Sequence, residues 1–387
     1  MSVYFDNAAT TKPDERVLEA MLPYFSTHYG NASSVHAAGR QTSVAVEEAR
    51  EKIAACIGAE VSEIIFTSGG TESNNAAING SLRNGSKRHV VTSSVEHHAV
   101  LHPLEHAAKT GVRTTQLDPG AKGWISAEAV EAALEPDTAL VSLMHVNNET
   151  GAINPIDEIA TLCASRGVRF HTDWVQAAGK LPLDVRKTAV DFLSVSAHKI
   201  HGPKGAGFLY VRGGTDWQPW MEGGSQERGR RGGTLNVPGI VGLGEAFRIA
   251  CEEREANLRH TEHLSTLIQD KMAALLPDVA RLNGDRSHAV PHILNYSFQN
   301  EDGEAADGEM LLLSLDIDGI YVSNGSACTS GTVLPSHVLL GMGHSPKLAL
   351  SSIRLSLGKY NTESDVNTLF EKLPAILGRM MTLPAHD

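Results

Sequence analysis

The chain has 387 residues, of which 41% are hydrophobic and 20% charged, and its formal net charge is −12. This acidic balance disfavours a protein that binds nucleic acid or a membrane surface through a basic face, and no apolar run is long enough to span a membrane. The length exceeds what one compact core usually serves, so we expect two domains.

The segment between residues 60 and 212 alternates short β-branched runs with turns and amphipathic helical patterns. We predict strands at 63–67, 89–92, 139–143, 168–172, 191–195 and 207–211. Strands that alternate with helices are typical of an α/β domain built on a mostly parallel, doubly wound sheet. Ligands bind such sheets at the carboxyl ends of the strands, so the residues that follow each strand are the candidates for a functional site.

The remainder of the chain predicts a second unit. A loop rich in Gly and Arg is expected over residues 213–234, followed by a long helix from Gly239 to about Leu276. Beyond it, strand-like runs at 292–298 and 352–356 alternate with helices, which predicts a smaller α+β domain.

We expect the two domains to share the chain unequally. The large domain is predicted to span residues 15–259, and the small domain residues 1–14 and 260–387. The small domain carries a polar Gly- and Ser-rich segment at about 323–333, which contains Cys328. A core cysteine would be out of place in such a segment, so we expect this thiol to be reachable.

The first candidate site residues follow the strand at 63–67. Gly70 and Thr71 stand at the predicted start of a helix, where backbone N–H groups and a hydroxyl can bind a phosphate. The alternative is a plain glycine turn in which Thr71 caps the helix.

Two further strands end in polar turns. His97 follows the strand at 89–92, where an imidazole could lie flat on an aromatic cofactor ring. Asn148 follows the strand at 139–143, and its amide could reach a substrate or a ring oxygen. The alternative for both residues is a solvated turn, since turns rich in Asn and Gly are common.

The last two strand ends carry a carboxylate and an amine. Asp173, which follows the strand at 168–172, can pair with a protonated pyridine nitrogen, and Gln176 can bond the phenolic oxygen of the same ring. Lys199 follows the strand at 191–195 and would carry pyridoxal phosphate (PLP) as a Schiff base, with Ser196 and His198 on the phosphate. Each signal is weak alone, but all five strand ends suit one ligand, a phosphorylated pyridine aldehyde.

Two residues outside the large domain complete the predicted site. Arg354 lies in the strand-like run at 352–356, and its planar guanidinium suits a bidentate grip on an α-carboxylate; the alternative is a surface salt bridge. Cys328 could move on its loop to the cofactor. The other cysteines lie in helical patterns and form no CxxC pair with it, so no metal site is predicted.

These motifs closely resemble those of the cysteine desulfurases, PLP enzymes of fold type I in the class V aminotransferase group. The resemblance runs almost end to end, from Tyr4 to the final helix, and is most specific in these segments: 69–73, 96–97, 147–149, 198–199, 325–331 and 354–358. The segment around Cys328 is similar to that of the long-loop branch, which supplies sulfur for iron–sulfur clusters.

The resemblance implies a role for each candidate residue. Lys199 would bind the cofactor and move the Cα proton, His97 would stack on the ring, and Cys328 would take the substrate sulfur as a persulfide. Asn148 and Arg354 would hold L-cysteine. Thr234 would reach the phosphate of a neighbouring subunit, which implies a homodimer.

The resemblance also sets the expected reaction and partners. L-cysteine would give L-alanine, and the persulfide would pass to an iron–sulfur scaffold or another acceptor protein. Alternatives are a selenocysteine lyase or an aminotransferase of the same fold, and a non-enzymatic sulfur-relay protein. The N-terminus lacks the blocks of a signal peptide, so we expect a cytoplasmic protein. Trp174 departs from the small residue usual in relatives and could alter the shape of the pocket.

Overall fold

The computed structural model describes residues 2–83, 86–325 and 334–383. Within them the strands are β1 Val3–Tyr4, β2 Ile64–Thr67, β3 His89–Ser93, β4 Arg113–Leu117, β5 Thr138–Ser142, β6 Arg169–Asp173, β7 Phe192–Ser196, β8 Gly207–Val211, β9 Ala280–Leu282, β10 Ile293–Phe298, β11 Ile320–Tyr321 and β12 Ser352–Ser356. The helices are α1 Glu15–Met21, α2 Pro23–Ser26, α3 Ala37–Ile57, α4 Gly70–Leu82, α5 His98–Ala108, α6 Ala127–Ala133, α7 Ile156–Ser165, α8 Val237–Glu252, α9 Arg254–Leu275, α10 Gly308–Ile317, α11 His337–Gly341, α12 Pro346–Leu350 and α13 Glu363–Leu377. Across these ranges no helix combines the length and the apolarity needed to span a membrane.

A seven-stranded sheet in the order β2-β8-β7-β6-β5-β3-β4 forms the centre of the protein. Only β8 runs antiparallel to its neighbours in this sheet; the other pairings are parallel. Every residue of β3, β5, β7 and β8 is buried, because helices cover both faces of the sheet. The predicted α/β fold with a mostly parallel sheet is therefore confirmed.

The edge strand β4 was missed by the sequence analysis. Its residues Arg113–Leu117 include two exposed and three half-buried side chains, so the apolar run that marks the inner strands is absent. β4 pairs in parallel with β3 along its whole length. Partial exposure is expected of a strand that has only one neighbour.

A second, antiparallel sheet in the order β12-β10-β9 packs against α9, α10 and α13. This core also contains Val3 and Phe5, because β1 pairs in parallel with β11 and brings the N-terminus to the C-terminal half. A separate cluster of buried residues lies against the seven-stranded sheet. The domain boundaries given above, 15–259 and 1–14 with 260–387, remain a prediction.

The prediction of a single long helix over 239–276 was wrong. The chain forms two helices, α8 and α9, with a break at Glu253. The backbone of Glu253 has φ −90° and ψ 1°, outside the helical range. Its carboxylate pairs with Arg16 at 2.8 Å and with Lys359 at 3.5 Å. Through these contacts Glu253 binds residues near both ends of the chain. Helical periodicity in the sequence cannot predict such long-range ion pairs.

Helices α3 and α8 pack closely enough that glycine is required at their crossing. A Cβ at Gly244 would lie 2.7 Å from Ala49 Cβ and 2.8 Å from Ala49 Cα, so the helices would have to separate. A Cβ at Gly242, in the same helix, would chiefly meet the flexible side chain of Met21.

We predict that Gly244→Ala lowers the free energy of unfolding by about 1–3 kcal/mol, because overpacking against backbone outweighs the better helix propensity of alanine. Gly242→Ala is the matched control and should cost less, since Met21 can change rotamer. Denaturant midpoints of the two variants would be compared with wild type. An equal loss in both would contradict the close-packing explanation.

Candidate active site

A cavity of about 590 Å³ lies at the carboxyl ends of the parallel strands and opens between the two sheets. The predicted site residues that line it are Gly70, Thr71, His97, Asn148, Asp173, Gln176, Ser196, His198, Lys199 and Arg354. All five predicted strand ends therefore meet at one place, as the parallel topology requires. The volume is typical of a small-molecule or cofactor site.

Lys199 is positioned by the end of a fully buried strand. β7 ends at Ser196, and the 3₁₀ turn at Ala197–Lys199 directs the lysine into the cavity. Its Nζ donates to the carbonyl oxygens of Ala8 at 2.5 Å and Ala9 at 2.7 Å. Burial lowers the pKa of Lys199 to about 8, and the charge of Arg354 acts in the same direction. A neutral amine, the nucleophilic form, is thus accessible near physiological pH.

Asp173 stands at the last position of β6 and is oriented by two donors. Its Oδ2 accepts from Asn74 Nδ2 at 2.6 Å, and its Oδ1 accepts from the backbone N–H of Val175 at 3.0 Å. The sequence analysis gave Asn74 no role. A signal was present, however, because Asn74 lies four residues after Gly70 and therefore on the same face of α4. The structure buries Asn74 to 1% exposure.

His97 caps the start of α5, where its Nδ1 accepts from the N–H of Ala99 at 3.0 Å. Burial lowers the pKa of His97. The carboxylate of Asp173 acts to raise this pKa, and the charge of Lys199 acts to lower it. The ring is therefore neutral at pH 7 with its proton on Nε2, the tautomer that an Nδ1 acceptor leaves.

Gln176 offers an unused polar atom to the site. Its Nε2 donates to the Ala8 carbonyl at 2.8 Å, while its Oε1 is buried without a hydrogen-bond partner. Buried polar atoms are rarely left unsatisfied. The orphaned oxygen indicates that a ligand or water supplies the missing partner.

The first turn of α4 faces Ser196 across a narrow gap. The backbone of Gly69 has φ +149°, and a Cβ there would lie 3.4 Å from Ser196 Oγ. The N–H groups of a first helical turn lack partners within the helix, so they suit an anion. His198 lies alongside with its Nδ1 3.2 Å from Thr10 Oγ1, and burial lowers the pKa of His198 to about 4.

Arg354, in β12, brings a guanidinium from the second sheet into the cavity. Its Nη1 donates to the carbonyl of Asn148 at 2.8 Å, and its Nη2 donates to Asp6 Oδ1 at 2.7 Å. Its Nε is buried without a partner. The salt-bridge alternative is thus partly realised, but the guanidinium is buried and is not a surface charge.

Glu149, which the sequence analysis also left without a role, contacts both ends of the segment that carries Cys328. Its Oε2 accepts from Ser336 Oγ, and it packs so tightly against Gly325 that a Cβ there would overlap the carboxylate. Gly325 has φ +85°, a further reason for glycine at this position. Burial raises the pKa of Glu149.

Two predicted residues are not placed at the cavity. Cys328 lies outside the described residues, although Ser323 and Gly325 on its N-terminal side line the cavity. Thr234 is exposed and stands away from the cavity of its own chain. Trp174 also does not line the cavity: its ring is buried in the core and packs against Phe247 with centroids 6.1 Å apart.

Comparison with known proteins identifies the class to which this fold and cavity belong. The model of the aminotransferase class-V family matches residues 3–369. Among solved structures, a NifS-like protein superposes with a TM-score of 0.91 at 38% identity, over 98% of this chain and 100% of that chain. The chain belongs to the class-V aminotransferase family, and the predicted fold class is confirmed.

Curated relatives agree over the full length. The chain is 47% identical over 383 residues to the putative cysteine desulfurase IscS 1 of Bacillus subtilis (strain 168), which covers 98% of this chain and 99% of that protein. It is 45% identical over 387 residues to the cysteine desulfurase IscS of Dictyoglomus turgidum, with 99% and 96% covered. The resemblance seen in the motifs is thus confirmed.

We predict that Lys199 of the cofactor-free protein reacts with an amine-specific acylating reagent at a rate that rises with pH and levels off above about pH 8. The reason is the pKa of about 8, which burial lowers from the usual value for a lysine, so the neutral amine predominates above that pH. Labelling would be followed by peptide mass spectrometry, with Lys199→Ala as the control. A rate that still rises steeply beyond pH 9 would contradict the lowered pKa.

Proposed function

We propose that the chain is a cysteine desulfurase that uses PLP to remove sulfur from L-cysteine, giving L-alanine and a persulfide on Cys328. The observation that carries the proposal is one cavity in which the amine of Lys199 and the guanidinium of Arg354 face each other. The segment containing Cys328 starts beside this cavity, which Ser323 and Gly325 line, and Glu149 contacts both Gly325 and Ser336 on either side of it. A carboxylate-binding group, a nucleophilic amine and a nearby thiol are together what the reaction requires.

The residues of the cavity fit a PLP molecule. Asp173 would pair with the pyridine nitrogen, the first turn of α4 with Gly70, Thr71 and Ser196 would hold the phosphate, and Lys199 would bind the aldehyde carbon. Oε1 of Gln176 has no hydrogen-bond partner within the protein, so a polar group of the cofactor would have an open position there. When bound, the cofactor draws electrons from the substrate Cα.

The protein's own groups divide the remaining work. Arg354 would grip the α-carboxylate with the help of Asn148, which fixes the substrate relative to the cofactor. Lys199 Nζ would take the Cα proton, since its amine is neutral at a moderate pH and is held next to the site. Cys328 would attack the substrate sulfur as a thiolate: an S–S bond forms, and the C–S bond breaks with its electron pair left on the substrate carbon. That carbon takes up a proton, Lys199 returns the proton to Cα, and the product leaves as alanine.

His97 and His198 would act as neutral rings. His97 would stack on the cofactor ring, because it lies at the cavity wall beside Asp173. His198, with a pKa lowered to about 4, can donate one N–H to the phosphate without adding charge.

The partner predictions also rest on particular residues. The N-terminal region exposes several large apolar side chains, namely Leu22, Phe25, Tyr29, Val35 and Val44, and an exposed apolar surface of this kind supports a homodimer. Thr234, exposed in its own chain, would then reach the phosphate of the other subunit. The persulfide would be passed to an iron–sulfur scaffold or another acceptor protein. The cytoplasmic location remains a prediction.

The alternative activities are less well supported. An aminotransferase has no use for a thiol segment at its cavity, and the curated relatives described above are named desulfurases. Selenocysteine would be a side substrate of the same site, distinguished only by rates. A purely structural relay protein would not require the buried amine and carboxylate to converge.

The purified protein is expected to be yellow, and Lys199→Ala should lose the visible absorption of the cofactor bound to the lysine. The reason is that Lys199 extends into the cavity from the turn that ends β7 and is the proposed attachment point of the cofactor. Absorption spectra and phosphate analysis would be recorded for both proteins, with Lys187→Ala as an exposed control. A colourless, phosphate-free wild type would overturn the cofactor assignment.

Wild type is expected to convert L-cysteine into alanine and sulfide under reducing conditions, and Cys328→Ser should lose nearly all of this activity. The substitution leaves the cofactor site intact but removes the sulfur acceptor. Alanine would be quantified for both proteins and for Cys251→Ser, a half-buried cysteine of α8. Equal alanine production by Cys328→Ser and wild type would mean that Cys328 is not the acceptor.

A further inference from the structure

A second cavity lies behind Lys199, between the start of α9 and the edge of the second sheet. Its volume is about 60 Å³, several times what a single water molecule requires, so it admits a small polyatomic ligand. Its walls are largely apolar, and its polar lining includes Lys180, Asn257 and His292. The cavity is too small for the cofactor and none of the proposed catalytic steps uses it.

Lys180 brings a cation to this cavity without a counterion. Its ammonium makes no hydrogen bond and no ion pair with the residues that the structure describes. Burial lowers the pKa of Lys180 to about 7, and the charge of Lys199 lowers it further. An amine that is partly protonated near neutral pH and faces a cavity is a site that an anion would stabilise.

His292 supplies a second unsatisfied group from the opposite wall. It is 5% exposed, and its Nε2 is buried without a hydrogen-bond partner. Burial lowers the pKa of His292 well below the usual range, and the charges of Lys180 and Arg286 contribute. The ring is therefore neutral, and its N–H can donate to a ligand without a further cost in charge repulsion.

The other charged groups around Lys180 leave the cavity short of negative charge. Lys199 is directed at the carbonyl oxygens of the N-terminal segment, and the pKa values of His198 and His201 are lowered by burial and by neighbouring lysines. Lys359, on the cavity wall, is paired with Asp14 and Glu253.

The two carboxylates that pair with Lys359 are also neutralised by a second cation. Asp14 and Glu253 also pair with Arg16 at 2.8 Å each, outside the cavity. Arg254 lines the cavity as a further cation. Among the described residues that line this cavity, none is acidic.

We propose that this cavity binds a small inorganic oxyanion of the sulfate or phosphate class, held by Lys180 from the loop between β6 and β7 and by His292, which directly precedes β10 of the second sheet. Such an ion offers several acceptor oxygens to the two unsatisfied donors and supplies the missing charge. Charge-assisted hydrogen bonds in an enclosed site are stronger than those on the surface. The bound ion would also join the two sheets immediately behind Lys199.

The test is calorimetric binding of sulfate to the cofactor-loaded protein, in which the phosphate site of the cofactor is filled. Lys180→Met should weaken sulfate binding roughly tenfold or more, the expected loss of a charged hydrogen bond. Lys187→Met, an exposed lysine seven residues along, is the matched control and should bind like wild type. His292→Leu should weaken binding by a smaller factor.

The pH dependence gives a second readout, because sulfate does not titrate in the neutral range. If one proton on Lys180 is required, affinity is constant at low pH and falls roughly tenfold per unit once the pH exceeds the pKa of Lys180, which burial holds below that of an exposed lysine. A phosphate titration at pH 6 would show whether the site accepts both ions. Sodium chloride at matched ionic strength controls for screening.

Wild-type binding that is absent, or is unchanged in both Lys180→Met and His292→Leu, would overturn the proposal. Retained cofactor absorption establishes that each variant is folded. If Lys180→Met fails to fold, His292→Leu and the pH profile of wild type still test whether sulfate binds in this cavity. An affinity that stays constant up to the pKa of an exposed lysine would exclude Lys180 as the charged partner.

Discussion

The main-chain oxygens of the N-terminal segment, residues 6–11, are the contacts on which the arrangement of the site depends. The carbonyl of Ala8 accepts from both Lys199 and Gln176, and the carbonyl of Ala9 accepts from Lys199. At the other side of the segment, Asp6 accepts from Arg354, and Ala8 N–H donates to Ser356 Oγ at 2.9 Å. One short segment, through its backbone and the carboxylate of Asp6, thus holds groups from both sheets in place.

This arrangement also explains why cations can be held so close together. Lys199 and Arg354 repel each other, and the charge of Arg354 contributes to the lowered pKa of Lys199. The carbonyl dipoles of Ala8 and Ala9 and the carboxylates of Asp6 and Asp173 offset part of this repulsion. The pKa of Lys199 nevertheless stays below that of an ordinary lysine. The same desolvation that costs stability makes the lysine a usable nucleophile.

Much of the fold and most of the cavity could be predicted from the sequence, because both depend on strand periodicity. Five β-branched runs predicted the parallel strands, and the rule that ligands bind at their carboxyl ends located Asp173 and Lys199. The edge strand β4 was missed because a half-exposed strand lacks the apolar run. The break at Glu253 was missed because ion pairs with distant residues, and not local propensity, end the helix.

Two residues of the site, Asn74 and Glu149, show which contacts local sequence patterns do not predict. Asn74 orients Asp173 through a contact between residues 99 positions apart, and Glu149 reaches Ser336 across a gap of 187 positions. For Asn74 the helical spacing from Gly70 was a signal of position but did not reveal the contact with Asp173, and for Glu149 the local pattern held no signal. The roles of Cys328 and Thr234 rest on the resemblance to known enzymes. The structure adds no contact for either role, because Cys328 lies outside the described residues and Thr234 is exposed.

The contacts of Ala8 and Ala9 carry a consequence for how the enzyme can be dissected. Alanine scanning removes side chains, and these two residues are already alanine, so a conventional scan would pass over them. The oxygens that hold Lys199 belong to the backbone and persist through almost any substitution. Functional maps built from side-chain replacement alone would therefore record this segment as tolerant, even though the geometry of the lysine relies on it.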